Sequence, residues 1–239
     1  MRRRLIAFRV SIVRMAKREH FEYGEWYHCY NRGIDKRDVF DNELDAARFL
    51  MTLYLANGSK PIRLFSERKP TLTNSLDVER GSPLVAIGAY CLMPNHFHLL
   101  IKEETEGGIS KFMSKLSTAY TMYYNAKNDR VGNLFLKSFR SRHISNDRYL
   151  QRVLQYIHCN PAELYESGWK QGRVRSMGSL QKKLLNYPYS SLSEYENKVR
   201  TSDLLSQEVF AVGNHPPLSR LLEDAREYYA DKARGWLER

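Results

Sequence analysis

The chain reads as an α/β protein of the α+β kind, and three observations predict this. First, Leu84 to Met93 and His96 to Ile101 are two apolar, partly β-branched runs separated only by Pro94-Asn95, the pattern of two strands meeting at a tight corner. Second, the runs 43–56, 109–124 and 146–160 repeat apolar residues at helical spacing. Third, 239 residues suffice for one well-cored domain with appendages.

Met1 to Arg14 opens with three arginines, but Arg9 and Arg14 interrupt its apolar part and no small-residue cleavage site follows. No secretory signal is therefore expected, and residues 1–20 are expected to form a basic arm, with Met15 as an alternative start. Trp26 to Arg32 is predicted as the first strand, and Glu43 to Ala56 as a helix capped by Asp41 or Asn42. Residues 58–83 are polar and punctuated by Pro61, Pro70 and Gly81, which suggests an insertion with a possible short strand at Ile62 to Phe65. Beyond the central hairpin, Ile109, Phe112, Met113, Leu116, Ala119, Tyr120, Tyr123 and Tyr124 share one helical face and are read as core. Leu134 to Ile144 is expected to be another strand, with Phe135 and Phe139 alternating against Lys137, Arg140 and Arg142. The last stretch, Leu218 to Leu237, fits an amphipathic helix.

Thirty-eight Lys and Arg against 27 Asp and Glu leave a formal charge of +11, and 16 tyrosines are available to stack on unpaired bases. This balance favours a polyanionic partner held in a salt-dependent way. Cys29, Cys91 and Cys159 show no paired spacing, so neither a disulfide framework nor a zinc knuckle is expected and a reducing compartment fits. No apolar run is long enough to span a bilayer, and the expectation is a soluble, cytoplasmic protein without a membrane partner.

The candidate chemistry begins at His96-Phe97-His98. On a strand both imidazoles leave on one side and Phe97 on the other, which is half a metal site. An isolated pair of this kind is more often two ordinary half-buried histidines. A second feature is the segment Asn146 to Asn160: at about 100° per residue, Tyr149, Leu150, Val153, Leu154 and Ile157 form a buried stripe with Tyr156 at its edge. Asn160 lies above Tyr156 on the same side, and Pro161 is expected to end the helix there. By periodicity alone Tyr156 is an amphipathic residue at a core boundary. His158 points about 200° away from it and is excluded as a ligand, while His28 and His143 stay unassigned, each read first as a surface histidine, with support of a ligand or a phosphate contact as the alternative.

These stretches do not stand alone. Trp26-Tyr27-His28-Cys29-Tyr30-Asn31-Arg32-Gly33, Leu92-Met93-Pro94-Asn95-His96-Phe97-His98-Leu99-Leu100, Gly132 to Arg140, Gln155-Tyr156-Ile157-His158-Cys159-Asn160-Pro161 and Tyr187-Pro188-Tyr189-Ser190-Ser191 occur in that order. In sequence and separation they resemble the single-tyrosine HUH transposases, most of all the REP-associated tyrosine transposases, from about Tyr23 to Tyr195. The resemblance implies a ferredoxin-like antiparallel sheet with helices packed on one face, the histidines on a central strand and the tyrosine on a helix across from them. It implies Tyr156 as nucleophile and a divalent ion, Mg²⁺ or Mn²⁺, held by His96, His98 and Asn160. Mixed imidazole and amide ligands with open positions suit those ions in use, although Co²⁺, Ni²⁺ or Zn²⁺ would bind more tightly.

The implied substrate is single-stranded DNA, often folded as an imperfect or palindromic hairpin, bound by a monomer or a homodimer. Arg32, Lys137, Arg140, Arg142, Arg173 and Arg175 are candidate backbone contacts. The domain would span residues 21–167, including the 58–83 insertion, with a basic linker and extension at 168–239. Three alternatives compete. An amidohydrolase-type metal enzyme would need a (β/α)-barrel and further His and Asp ligands, which the chain does not offer. A plain nucleic-acid-binding module would have no need of His96, His98 and Tyr156 together. A non-mobile or inactive DNA-binding descendant would keep the pattern without the activity.

Overall fold

Strands and helices alternate in the order β1 (Trp26–Arg32), α1 (Glu43–Ala56), β2 (Val85–Met93), β3 (His96–Glu103), α2 (Gly108–Lys127) and β4 (Arg140–His143). The computed structural model describes residues 20–61, 75–197, 204–210 and 216–237. The basic arm up to residue 19, with Met15, and the possible strand at Ile62 to Phe65 lie outside the described residues. The sheet has the order β2-β3-β1-β4 and every pairing is antiparallel. A β-α-β-β-α-β chain with this order is the ferredoxin-like arrangement, and the histidine strand β3 is central.

Local chemistry explains the helix starts. Of the two cap candidates Asn42 is used, its side chain accepting from the Asp45 amide at 3.1 Å. Helix α2 starts on the buried Glu103 carboxylate, which accepts from the amides of Gly108 at 3.1 Å and Ile109 at 2.7 Å. Strand β2 shifts register between Ile87 and Ala89. A Cβ on the intervening Gly88 would lie 2.7 Å from the Trp26 ring and 2.9 Å from the Leu100 side chain, so a larger residue at this bulge would have to displace both.

Residues paired across strands share a face of the sheet. One face carries Phe97, Leu99 and Ile101 and is covered by α1 and α2, with the Phe97 ring 4.9 Å from Phe49 and 5.5 Å from Phe135. The predicted core positions of α2 are buried there, Tyr123 only partly. Across the opposite face, over His96 and His98, lies α3 (Asp147–Cys159), which packs on β2 and β3. Its buried stripe is Leu150, Val153, Leu154 and Ile157, with Tyr149 partly buried.

Two local expectations need correction. The strand expected over Leu134 to Ile144 is confined to Arg140–His143. Leu134 and Phe135 are consecutive and both buried, which breaks strand alternation; the segment instead meets the residue just after β1 through an isolated Gly33–Phe135 bridge. Nor does Pro161 force Asn160 out of helical geometry: Asn160 has φ −56° and ψ −42°, and the chain runs on into α4 (Ala162–Tyr165). Proline is tolerated because the first turn of a new helix does not use its missing N–H.

The remainder, α5 (Met177–Leu185), α6 (Leu192–Asn197) and α7 (Leu218–Leu237), builds a second apolar cluster. Trp169, Leu180, Leu184, Leu218, Leu221 and Leu222 meet Cys159 and Ala162 from the end of α3 and the start of α4. The Gln155 side chain donates to the Leu221 carbonyl at 2.7 Å, tying α3 to α7. All three cysteines are buried and none forms a disulfide. Among the described residues no helix is long and apolar enough to cross a membrane.

Candidate active site

β3 and α3 bring the expected residues together. The His98 ring lies 5.0 Å from His96 and 5.2 Å from Tyr156, edge to face in both cases. Tyr156 is 37% exposed, so its ring lines the site from the helix edge while remaining reachable from solvent. Asn160, only 4% exposed, adjoins both His96 and Tyr156. His158 points away, bonded to the Ser191 hydroxyl at 2.9 Å.

The two histidines are oriented by different neighbours. His96 Nδ1 lies 2.6 Å from Asn95 Oδ1, and the Asn95 amide nitrogen donates to the Lys36 carbonyl. That second bond fixes which end of the amide faces His96. An amide oxygen only accepts, so the His96 proton sits on Nδ1 and its Nε2 carries the lone pair. His98 Nδ1 lies 3.0 Å from Nε2 of His28. The surface expectation for His28 is therefore wrong: it is 7% exposed and faces the site, because its position on β1 puts it on the histidine face one diagonal step from His98. His143 is half-exposed and pairs with Glu25 at 2.9 Å, as a surface histidine does.

Burial, followed by Arg32, holds His96 down at about 4, with Lys170 adding to the effect and Asn160 opposing it. His98 is lowered well below its ordinary value by burial, then by His28 and His96, with smaller contributions from Lys170 and Arg32. Both are thus neutral near pH 7, the form that ligates an ion. Burial raises the Tyr156 phenol, and the Lys170 charge and Asn160 carboxamide oppose that rise.

The fit to an ion can be tested on the atoms themselves. His98 Nε2 and Asn160 Oδ1 are buried without a hydrogen-bond partner. Leaving such atoms unpaired costs stability unless something else meets them. Among the described residues no group of three or more His, Cys, Asp or Glu is arranged to hold a metal, so a site here must draw on the Asn160 amide. Two imidazoles and an amide oxygen with two unpaired lone pairs fit a divalent cation.

The basic residues divide. Arg32 pairs with His96, Arg140 with Tyr30 and Arg142 with His28, so all three flank the site on the histidine face. Lys137 is exposed in the loop leading to β4. Arg173 and Arg175 are exposed beyond the turn Trp169–Gln171, and Arg175 is drawn to Glu166 at 3.3 Å. Of that basic stretch it is Lys170, paired with Glu163, whose charge acts on Tyr156, His96 and His98. Sequence reasoning assigned neither Lys170 nor His28 a place in this site. The signal for His28 was its alternation with Tyr27 on a predicted strand; for Lys170 there was none beyond its basic neighbourhood.

Residues 69–160 match the family model described as transposase, IS200 like. The matched span holds His96, His98, Tyr156 and Asn160, and leaves out β1 and everything after Asn160. No curated protein matches the chain. Among solved structures, it is similar to a REP-associated tyrosine transposase bound to a REP hairpin, at 12% identity over 83% of this chain and 96% of that one, with a TM-score of 0.45. It is also similar to tRNA(His) guanylyltransferase from Saccharomyces cerevisiae, at 10% identity over 85% of each chain, with a TM-score of 0.37.

Proposed function

Taking residues 69–160 as a domain of the IS200-like transposase family, we propose that the protein cuts and rejoins single-stranded DNA through Tyr156, with a divalent ion at His96, His98 and Asn160. One observation carries this reading: two buried lone pairs, on His98 and Asn160, stand unpaired beside a tyrosine that solvent can reach.

The Tyr156 oxygen attacks a backbone phosphorus, the P–O3′ bond breaks, and a 5′-phosphotyrosine remains with the phenolic proton transferred overall to the released 3′-hydroxyl. Attack by another 3′-hydroxyl reverses the step and rejoins strands without an external energy source. A bound Mg²⁺ or Mn²⁺ would polarise the phosphate oxygens. The protein's own part is positional and electrostatic. Lys170 eases loss of the Tyr156 proton against the effect of burial, and Arg32, Arg140 and Arg142 offer cations on the same face for the strand's phosphates. With one nucleophile per chain, strand exchange is sequential or uses two protomers. The partner is a hairpin or palindromic single strand met in the cytoplasm. Residues 21–167 form the catalytic domain and 168–239 its extension, which contributes Lys170.

Incubation with labelled hairpin-bearing single-stranded DNA and Mn²⁺ should give a denaturation-resistant covalent adduct. Tyr156→Phe should abolish the adduct with DNA binding nearly intact. The annealed duplex should be left uncut, because exposing its phosphates requires unstacking at a few kcal/mol per step. An adduct that persists in the Phe variant, full cleavage in EDTA, or equal cutting of both DNA forms would each overturn the proposal. Normal DNA binding with no adduct in any metal would favour the inactive DNA-binding descendant.

A further inference from the structure

We propose that His28 is a positioning residue of this site: it accepts the Nδ1–H of His98 and so keeps the His98 Nε2 lone pair turned to the ion. This rests on the metal-site reading above and extends it to a strand that lies outside the matched family segment.

The geometry follows from register. In the β1–β3 ladder Tyr30 pairs with His98 and His28 with Leu100, so His28 and His98 are diagonal neighbours on one face. Long side chains bridge that diagonal. Here they do so through a 3.0 Å Nε2 to Nδ1 contact, with the two rings 5.1 Å apart and 30° from parallel. Tyr30, at 5.1 Å, and Tyr156, at 5.8 Å, flank the His28 ring.

A contact between two neutral imidazoles can be written in two ways. If His28 donates, the His98 proton sits on Nε2, where a buried N–H would find no acceptor. If His98 donates, the unpaired atom is a lone pair, which a cation can use. The second arrangement also gives His98 the same protonation as His96, whose Nδ1 proton is already fixed by Asn95. Both histidines then present Nε2, each tuned by a partner on its other nitrogen. His28 touches neither the ion nor the phosphate in this scheme and acts entirely through His98.

The test uses the full-length protein and Co²⁺ as probe. Histidine ¹⁵N spectra of the metal-free wild type should show His98 protonated at Nδ1. His28→Leu, which keeps bulk but offers no acceptor, should disturb that signal and weaken Co²⁺ binding by about 10- to 100-fold. His28→Gln, which restores an acceptor, should bind within about threefold of wild type, a rescue that a purely space-filling role would not produce. A His98 proton found on Nε2 in the wild type, or Co²⁺ binding by His28→Leu equal to wild type, would overturn the proposal. Should His28→Leu fail to fold, the wild-type tautomer decides by itself. Wild type that binds neither Co²⁺ nor Mn²⁺ and forms no Tyr156 adduct would instead overturn the nuclease reading, whichever tautomer His98 shows.

Discussion

The strand half and the helix half of the site are held by different means. His28, His96 and His98 sit on adjacent paired strands, so backbone register sets their spacing and short side-chain bonds set their ring orientation. Tyr156 and Asn160 sit on one helix, and their placement depends on what seats that helix against the sheet. Those supports are side chains: His158 to Ser191, Gln155 to Leu221, and the cluster around Cys159 and Ala162. A ladder of backbone hydrogen bonds resists displacement as a unit, whereas a docked helix can shift when a few contacts are lost. The proposed ligands are thus the rigid half and the proposed nucleophile the adjustable one.

The largest effect should come from cutting the rigid half at its centre. His98→Ala should remove divalent-ion binding and lower cleavage by at least about 1,000-fold, as loss of a principal site group does. Asn160→Ala should cost less, about 10- to 100-fold, because water can replace a neutral amide. Isothermal titration with Mn²⁺ and a single-turnover cleavage assay separate the two. An Asn160 variant as damaged as the His98 variant would mean that the helix half carries as much of the ion as the strand half.

Acid should also act on the rigid half. Burial holds His28 at about 4 in the folded protein, against about 6.5 for an exposed histidine, and His96 is held at a similar value. Between those values the unfolded chain binds protons that the folded chain refuses. The stability gained from neutral burial is therefore complete above pH 6.5 and is lost as pH falls toward 4, on the order of 3 kcal/mol for His28 when fully titrated. In EDTA the melting temperature should fall steadily from pH 7 to pH 4.5, and Mn²⁺ should oppose the fall. A flat profile would contradict the burial of these rings.

The same contrast explains what the sequence revealed. The apolar runs in Val85 to Met93 and His96 to Glu103, broken only at Pro94-Asn95, and the helical spacing of Ile109 to Tyr124 are local signals, so the central hairpin and α2 were legible. Tyr156 at the stripe's edge was legible too, although its proposed role came from resemblance. His28 was legible only in part: alternation sets it opposite Tyr27, but which face holds the site depends on which strand lies beside it, a long-range pairing that no local pattern encodes. Lys170 reaches Tyr156 only because the chain turns back through α4 and the turn at Trp169. The Leu134 to Ile144 strand failed for the converse reason: local alternation was present in part, but Phe135 is drawn into the core by Phe97 and Tyr120.

Loosening the seat of the helix should produce a middle-sized effect. Ser191 Oγ contacts His158 Nε2 at 2.9 Å and accepts from the Tyr90 amide at 3.0 Å, linking α3 to β2. Ser191→Ala removes both links from buried groups and should destabilise the fold by about 1–3 kcal/mol. Urea denaturation checks the size. Adduct formation at a temperature where the variant is folded should fall more than Mn²⁺ affinity does; equal losses would show that the two halves move together.

The smallest effect should come from the far end of the same support. Gln155 reaches across to the Leu221 carbonyl from a position one residue before Tyr156, with its own side chain only partly buried. Gln155→Ala deletes one neutral hydrogen bond, a change of about 0.5–1.5 kcal/mol, and Leu221 and Leu222 remain buried in the second cluster. The fold should survive with a slightly lower urea midpoint. Hydrogen exchange should quicken in α7 and the last turn of α3, while β1 and β3 remain as protected as in wild type. Adduct formation should slow by a few-fold with Mn²⁺ affinity unchanged, since His96 and His98 are held by the β1–β3 pairing, His28 and Asn95. If Mn²⁺ affinity fell in step with the adduct rate, the division of the site into a rigid ligand half and an adjustable nucleophile half would have to be abandoned.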